Sequence, residues 1–370
     1  MTALHPRYDF RRDRLLQVLM LAAVALFVSS PGRFLRLAPG LVDWATLTTL
    51  LGLLVLTKMV ERSGALLWLA LQLAERLRRQ RTLALFLVAT SALLSMVVTN
   101  DIALFVVVPL TLMLGRVVDL PLQRLVIFEA LAVNSGSLLS PIGNPQNILL
   151  WQAAGVGFGA FLLALLPLFL LCAAALGALT FVAFAGTPLE RHGDPPAVET
   201  DRRLFATAAL LYPVFLLLAD AHRAAWALAL VVLTAAAIAP RLLLRVDWPL
   251  LLVFLLMFVD LGFLARQPLP GWLDLHDSTT LYAVSALLSQ GISNVPAAIA
   301  LHQYGGDWAT IAWGVNVGGF GLAIGSLANL IALRLGGQRR ALAAFHAWSI
   351  PFFCVIAASG WVLLRLTRGG

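Results

Sequence analysis

Charge is scarce in this sequence. Lysine, arginine, aspartate and glutamate make up 12% of its 370 residues and hydrophobic residues 61%, whereas soluble domains carry roughly 25% and about 45–50%. The deficit excludes an ordinary water-soluble domain and points to a chain whose main solvent is lipid. Cysteine occurs only twice, as Cys172 and Cys354. Both lie in apolar runs far from any histidine or acidic cluster, so they read as packing residues, and no spacing suits a zinc site. No Gly-x-x-x-x-Gly-Lys-Ser/Thr loop is present, which excludes a nucleotide-driven pump within this chain. A clustered nucleophile or metal set is also missing. A membrane-embedded enzyme, or a scaffold, is therefore the weaker class of reading, and the chain is expected not to be an enzyme and to need no cofactor.

What is present is arginine, and the formal net charge is +8. A nucleic-acid binder would gather that charge on one face. Here Arg7, Arg11, Arg12 and Arg14 precede the first apolar run, Arg76, Arg78, Arg79 and Arg81 fill a later gap, and Arg334, Arg339 and Arg340 fill another. Clusters in short gaps beside apolar runs are what the positive-inside bias produces, so no nucleic-acid partner is expected and the N-terminus is read as cytoplasmic. Residues 15–30 could pass for a secretory signal, but no small-x-small cleavage site precedes Ser29, Ser30 and Pro31, so they are read as the first membrane helix.

A helix crossing a hydrocarbon core of about 30 Å needs ~20 apolar residues, which leaves room for about 10–11 spans. The expected class is an all-α polytopic membrane protein in a bacterial-type inner membrane. One stretch is clearly soluble, residues 187–203, rich in proline and charge. It divides the chain into halves 1–186 and 204–370.

The halves repeat each other. NSGSLLSPIGNPQN at 134–147 lies over NVGGFGLAIGSLAN at 316–329 without a gap, matching Asn134 to Asn316, Gly136 to Gly318, Ile142 to Ile324, Gly143 to Gly325 and Asn147 to Asn329. Upstream of the first block, Thr99, Asn100 and Asp101 separate two apolar runs; upstream of the second, Ser293, Asn294 and Val295 do the same. Trp44 and Glu61 are roughly echoed by Trp248 and Asp260. Two blocks in the same order on either side of a linker indicate a duplication.

A hydroxyl–amide step between short apolar runs reads as the tip of a re-entrant hairpin, because non-helical backbone at membrane depth must be buried in protein or reached by water. The second element cannot remain one helix. Pro141 and Pro145 lack backbone donors, and the glycines of both blocks admit the conformations of unwound chain. A broken helix offers an N-terminus to anions and carbonyls to hard cations such as sodium. Two halves face to face would hold an anion between hairpin tips with cations behind it.

These residues resemble the ion transporter superfamily of divalent-anion/sodium symporters, citrate and arsenite permeases and one class of sodium/proton antiporters. The resemblance rests on the Thr-Asn-Asp tip with Pro-Ile-Gly-Asn-Pro-Gln-Asn and the Ser-Asn-Val tip with Ile-Gly-Ser-Leu-Ala-Asn. In length and second-half wording, at 292–296 and 325–332, the chain is similar to the YbiR-type inner-membrane permeases. The resemblance implies two inverted repeats, each with a re-entrant hairpin and a broken transmembrane helix, an elevator-like movement and a homodimer. It implies secondary transport of a small carboxylate or oxyanion coupled to sodium or protons. Substrate would meet Thr99, Asn100, Ser293, Asn294, Pro141 and Gly319. The coupling cation would meet Asp101, Asn134, Ser140, Gly143, Asn144, Asn147, Asn316, Gly325, Ser326 and Asn329. Asp101, where the anion symporters carry threonine, resembles the arsenite-permease and antiporter relatives, so an antiporter that exchanges cations at Asp101 is the alternative.

Several residues carry two readings. Asp101 is a coupling carboxylate or a helix N-cap. Lys58, the one lysine, is a coupling partner of Glu61 or a snorkelling end-of-span residue. The four repeated asparagines are cation ligands or partners of the broken helices' backbone. Glu129 lies on a proton path or pairs with Arg124, and His346 is expected to be a packed or interfacial histidine.

Overall fold

The computed structural model describes residues 14–74, 76–116, 118–190, 198–264, 274–336 and 341–368. Of the expected features, Arg7, Arg11, Arg12, Arg339, Arg340 and linker residues 191–197 lie outside the described residues. Among the described residues the regular structure is helical, apart from one isolated antiparallel bridge between Arg79 and Pro188.

In chain order the first half contains α1 (Arg14–Ser29), α2 (Pro31–Leu41), α3 (Trp44–Arg62), α4 (Ala65–Ala74), α5 (Gln80–Val97), α6 (Asn100–Leu114), α7 (Leu122–Ser137), α8 (Pro145–Ala154) and α9 (Phe158–Ala183). The second contains α10 (Arg202–Asp220), α11 (Ala224–Ile238), α12 (Pro240–Leu243), α13 (Trp248–Leu264), α14 (Ser278–Ile292), α15 (Asn294–Gln303), α16 (Trp308–Gly318), α17 (Leu327–Gly336) and α18 (Ala341–Arg368). Five of these, α3, α5, α9, α10 and α18, are long and apolar enough to cross a membrane, and five further apolar helices are shorter. The chain is an all-α polytopic membrane protein.

Many helix starts follow from one local rule. An aspartate precedes the helix and accepts a hydrogen bond from the amide three residues on, meeting a donor the helix leaves orphaned. Asp43 does this for Thr46, Asp201 for Leu204, Asp277 for Thr280 and Asp307 for Thr310. Trp44 and Trp248 each open a helix and donate an indole hydrogen bond to the carbonyl five residues back, on Pro39 and Leu243. Counted from those tryptophans, Asp260 stands opposite Leu56, not Glu61.

The helices pack in two groups. The first, called the frame here, joins α1, α2, α3, α10, α11, α12 and α13. The second, called the block, joins the hairpins α5–α6 and α14–α15, the broken helices α7–α8 and α16–α17, and the long helices α9 and α18. They meet where α3 packs on α6 and α8, where α13 packs on α15, and through α4, which packs on α3, α5 and α6. The linker's first residues are tied to the block, since Gln80 and Leu189 donate to the carbonyls of Thr187 and Arg78.

Within the block, small residues bring helix backbones into contact, the usual means of close packing in lipid. A methyl group added at Gly136 of α7 would collide with the Ala92 carbonyl and the Ser95 hydroxyl of α5. At Gly318 of α16 it would collide with the Ser289 side chain and the Ala286 carbonyl of α14. Gly136 and Gly318 are matched positions of the repeat, and Ala92 and Ser95 match Ala286 and Ser289 on the spacing that relates the two tips. Each hairpin therefore lies against its broken helix in the same register.

Gly136→Ala and Gly318→Ala are each expected to destabilise the purified protein by about 1–3 kcal/mol, the usual cost of overpacking. Gly159→Ala and Gly177→Ala, with nothing within 4 Å of the new methyl, are expected to change stability by less than about 0.5 kcal/mol. Thermal unfolding in detergent measures all four.

Candidate functional site

The hairpin tips are sharp. α5 ends at Val97 and α6 starts at Asn100, with Thr99 buried at the N-cap position and making no side-chain capping bond. α14 ends at Ile292 and α15 starts at Asn294. Between them Ser293 has φ 74°, a left-handed conformation that costs a residue with a Cβ of order 1–3 kcal/mol. Its hydroxyl reaches the Asn294 side-chain oxygen at 3.4 Å. The first tip is tied to its own broken helix, because the Asn100 amide donates to the Gly143 carbonyl at 2.8 Å.

Both long polar blocks are helix breaks. α7 stops at Ser137 and α8 begins at Pro145, capped by Asn144, whose side chain accepts from the Asn147 amide. α16 stops at Gly318, a single 3-10 turn covers Ala323–Gly325, and α17 begins at Leu327. Breaking a helix strands backbone carbonyls in a buried region, and each must find a donor. The asparagines supply them. Asn147 Nδ2 donates to the carbonyls of Ser137, Leu138 and Ser140 at 3.0–3.1 Å. Asn329 Nδ2 donates to the Gly319 carbonyl at 2.8 Å.

The same asparagines join the halves. Asn134 Nδ2 donates to Asn329 Oδ1 at 2.7 Å, and Asn316 Nδ2 donates to Asn147 Oδ1 at 2.8 Å. Asn144 Nδ2 donates to Asn316 Oδ1 at 3.0 Å, and the Ser326 hydroxyl donates to Asn134 Oδ1 at 2.9 Å. Asn134 and Asn316 also donate to the carbonyls of Ala130 and Ala312, one turn back. Every bond in these pairs becomes its mate when each residue is exchanged for the one 182 positions away, the spacing of Asn134 from Asn316 and of Asn147 from Asn329. The helices obey the same exchange. Hairpin arm α6 packs on α17 of the other half, and hairpin arm α15 packs on α8.

All four repeated asparagines are buried and have both ends of their amides bonded to protein. Of the two readings open for them, the geometry displays the partnering of broken-helix backbone, and it adds a lattice between halves. Pro141 and Ser140 are buried in the first break, and the Ser140 hydroxyl accepts from the Ile142 amide. A methyl group at Gly319 would lie 3.4 Å from Asn294 Nδ2 and 3.5 Å from Asn134 Oδ1, so the second tip sits beside the first half's asparagine. Gly325 is buried, its amide bonded to the Leu322 carbonyl. Asp101 lies in the first turn of α6, one residue past the helix start; Thr99 holds the N-cap position instead.

Four helix N-termini meet the breaks: α6 at Gly143, α15 at Gly319, α8 at Asn316 through its cap Asn144, and α17 at Asn134 through Ser326. Each carries about half a positive charge. The locus therefore suits an anion, and it holds asparagine, serine and backbone oxygens suited to a hard cation.

Three clamps on the second break were not legible as such. Gln290 of α14 donates to the Gly318 carbonyl at 2.6 Å and accepts from the Leu322 amide at 2.7 Å. His346 Nε2 accepts from the Ala323 amide at 3.0 Å, and Ser349 donates to the Gly321 carbonyl. His346 is thus bonded to the unwound chain as well as packed beside Phe345. The only available signal was a polar residue in an otherwise apolar run. Glu129 is fully buried and accepts from Thr111 of α6. Arg124 donates instead to the Ala183 carbonyl and lies over the rings of Phe184 and Trp348. Lys58 bonds Glu61 at 2.7 Å.

Comparison with known proteins gives the family. The sequence profile of a family described as citrate transporter matches residues 11–318. Inner membrane protein YbiR of Escherichia coli is 43% identical over 95% of both chains. An uncharacterized transporter of Methanocaldococcus jannaschii, MJ0456, is 31% identical over 80% of this chain and 82% of its own. A silicon efflux transporter of rice, LSI3, is 34% identical over 32% of this chain and 25% of its own. The chain belongs to the citrate transporter family and is a membrane transporter.

Because the lattice bonds are reciprocal, Asn134→Ala and Asn316→Ala are expected to lower stability by similar amounts, each at least about 1–3 kcal/mol for the acceptors left unpaired. Combining Asn134→Ala with Asn329→Ala is expected to cost less than the sum of the single changes, by about 0.5–3 kcal/mol. Thermal unfolding of the single and double variants checks both statements.

Proposed function

We propose that this member of the citrate transporter family is a secondary active transporter that moves a small carboxylate or oxyanion across the bacterial inner membrane, driven by a sodium or proton gradient. The observation that carries the reading is the convergence of four helix N-termini and two hairpin tips on one buried lattice. An anion enters between Thr99–Asn100 and Ser293–Asn294, where the helix ends lower its energy. The coupling cation sits against the carbonyls and side-chain oxygens of Ser140, Gly143, Asn144, Gly325 and Ser326, and the two charges offset one another. Asn134, Asn147, Asn316 and Asn329 act behind that site, holding both breaks in shape, and reach the cation only through their oxygens.

The movement follows from the packing groups. The lattice welds the hairpins and broken helices of both halves into one block, which slides against the frame along the α3 and α13 contacts in an elevator-like step. The two halves act as inverted repeats, so the pocket formed between them opens to one side and then the other. The N-terminus faces the cytoplasm, and two copies join through their frames.

A second reading is supported by Asp101. Its repeat mate is Val295, so the tips differ by one ionisable group, and a carboxylate beside the pocket suits a sodium/proton antiporter that binds no organic anion.

Proteoliposomes holding the full chain and tested with labelled small carboxylates and oxyanions are expected to accumulate at least one when a sodium or proton gradient is applied. Silence of the whole panel under every gradient rejects anion transport. Asn100→Ala and Asn294→Ala are each expected to abolish flux while leaving gel-filtration and thermal-unfolding profiles close to wild type. Wild-type flux in either would remove the tips from the site.

A further inference from the structure

The frame holds a carboxyl group that the site above does not use. Asp260 lies in α13, is 8% exposed, and both of its carboxyl oxygens are buried without a hydrogen-bond partner. Its helix neighbours Phe254, Met257, Phe258 and Val259 are buried and apolar. α13 is the frame helix that packs on hairpin arm α15. At the end of that arm Gln303 reaches back, with Nε2 at 3.5 Å from the Phe258 carbonyl, and its Oε1 is likewise buried without a partner. Asp260 and Gln303 together hold three buried acceptor oxygens that no donor among the described residues meets.

Among the described residues no charged group bonds Asp260. α2 brings Arg33 and Arg36, and Arg36 is bonded to the Gly32 carbonyl. α3 brings Asp43, which caps Thr46, Arg62, and Lys58, which is paired with Glu61. α15 brings His302, the start of α13 brings Asp247, and α1 brings Gln17; none of them bonds Asp260. A bare carboxylate buried in apolar surroundings without donors or counter-charge is among the costliest groups a membrane protein can hold. Two carboxyl oxygens and one amide oxygen are too few for a hard metal cation, which gathers about six oxygens or more. A proton needs only one.

We propose that Asp260 is a proton-carrying site on the frame helix that packs on the block, separate from the pocket at the tips. In the arrangement described, the carboxyl group carries the proton. When α15 slides along α13, Asp260 reaches water or a donor and releases it, so that proton movement is tied to the position of the block. The use of the proton rests on the transport reading; its presence on Asp260 does not.

The test labels the full-length wild-type protein in liposomes with dicyclohexylcarbodiimide, which reacts with protonated carboxyl groups in apolar surroundings, and locates the adduct by mass spectrometry. The expected result is an adduct on Asp260 at acid pH that disappears as pH is raised and is unchanged when choline replaces sodium. An unlabelled Asp260 under conditions that label Glu129 overturns the proposal. So does loss of the adduct on adding sodium at fixed pH, which would make sodium the occupant. Asp260→Asn, which keeps the shape of the side chain, is expected to remove the adduct and the proton-gradient dependence of transport; full retention of that dependence also overturns it. The labelling needs no transported anion, so a silent flux assay and an unlabelled Asp260 are separate failures.

Discussion

The structure depends on a constraint that lipid imposes: a helix broken inside a membrane protein must have its stranded backbone groups met by protein. This chain breaks two helices and meets the need in both with asparagine, whose amide both donates and accepts, joined at the second break by Gln290, His346 and Ser349. The donors of Asn147 and Asn329 close the breaks of their own halves, and their oxygens receive Asn316 and Asn134 from the other. Local repair and the joining of the halves are therefore the same interaction. Removing Asn147 or Asn329 leaves unmet carbonyls in the break of one half and an unpaired amide in the other.

That economy has a mechanical consequence. The hairpins lie against their own broken helices through glycine contacts too close for a methyl group, and the broken helices are tied to each other through the lattice. Tips, breaks and helix N-termini therefore keep their relative positions. Frame and block instead meet along a few helix faces, of α3, α6, α8, α13 and α15, and through α4. In the proposed transport step the first set of contacts stays fixed and the second changes, which is also why a carboxyl group on α13, the frame helix that packs on α15, is well placed to sense the block's position.

The class of protein was legible in the sequence, and the helix boundaries at 97–100, 137–145, 292–294 and 318–327 fall in polar segments that have a local cause. The charge deficit reports the solvent, Pro141 and Pro145 cannot continue a helix, and glycine and asparagine recur at matched places in 134–147 and 316–329. The roles of the asparagines were left open because an amide donates and accepts equally well, and only tertiary structure says what it faces. Gln290 escaped notice because its counterpart at the tip spacing is Met96, so the comparison of halves gave it no weight. His346 was read as a packed or interfacial histidine, since nothing local marks the Ala323 amide as its partner. The echo of Glu61 in Asp260 was a misalignment by five residues; the indole bonds of Trp44 and Trp248 set the register instead.

The central claim is that the two breaks meet in the folded chain, and cross-linking tests it directly. Asn134→Cys and Asn329→Cys, in a background with Cys172 and Cys354 replaced by serine, can be bridged in membranes with a short bis-thiosulfonate. Cleavage at a protease site inserted between residues 190 and 198 then asks whether the halves remain joined. The lattice predicts a single cross-linked band that reverts to two fragments on reduction. Two fragments before reduction, with both cysteines intact, would contradict it.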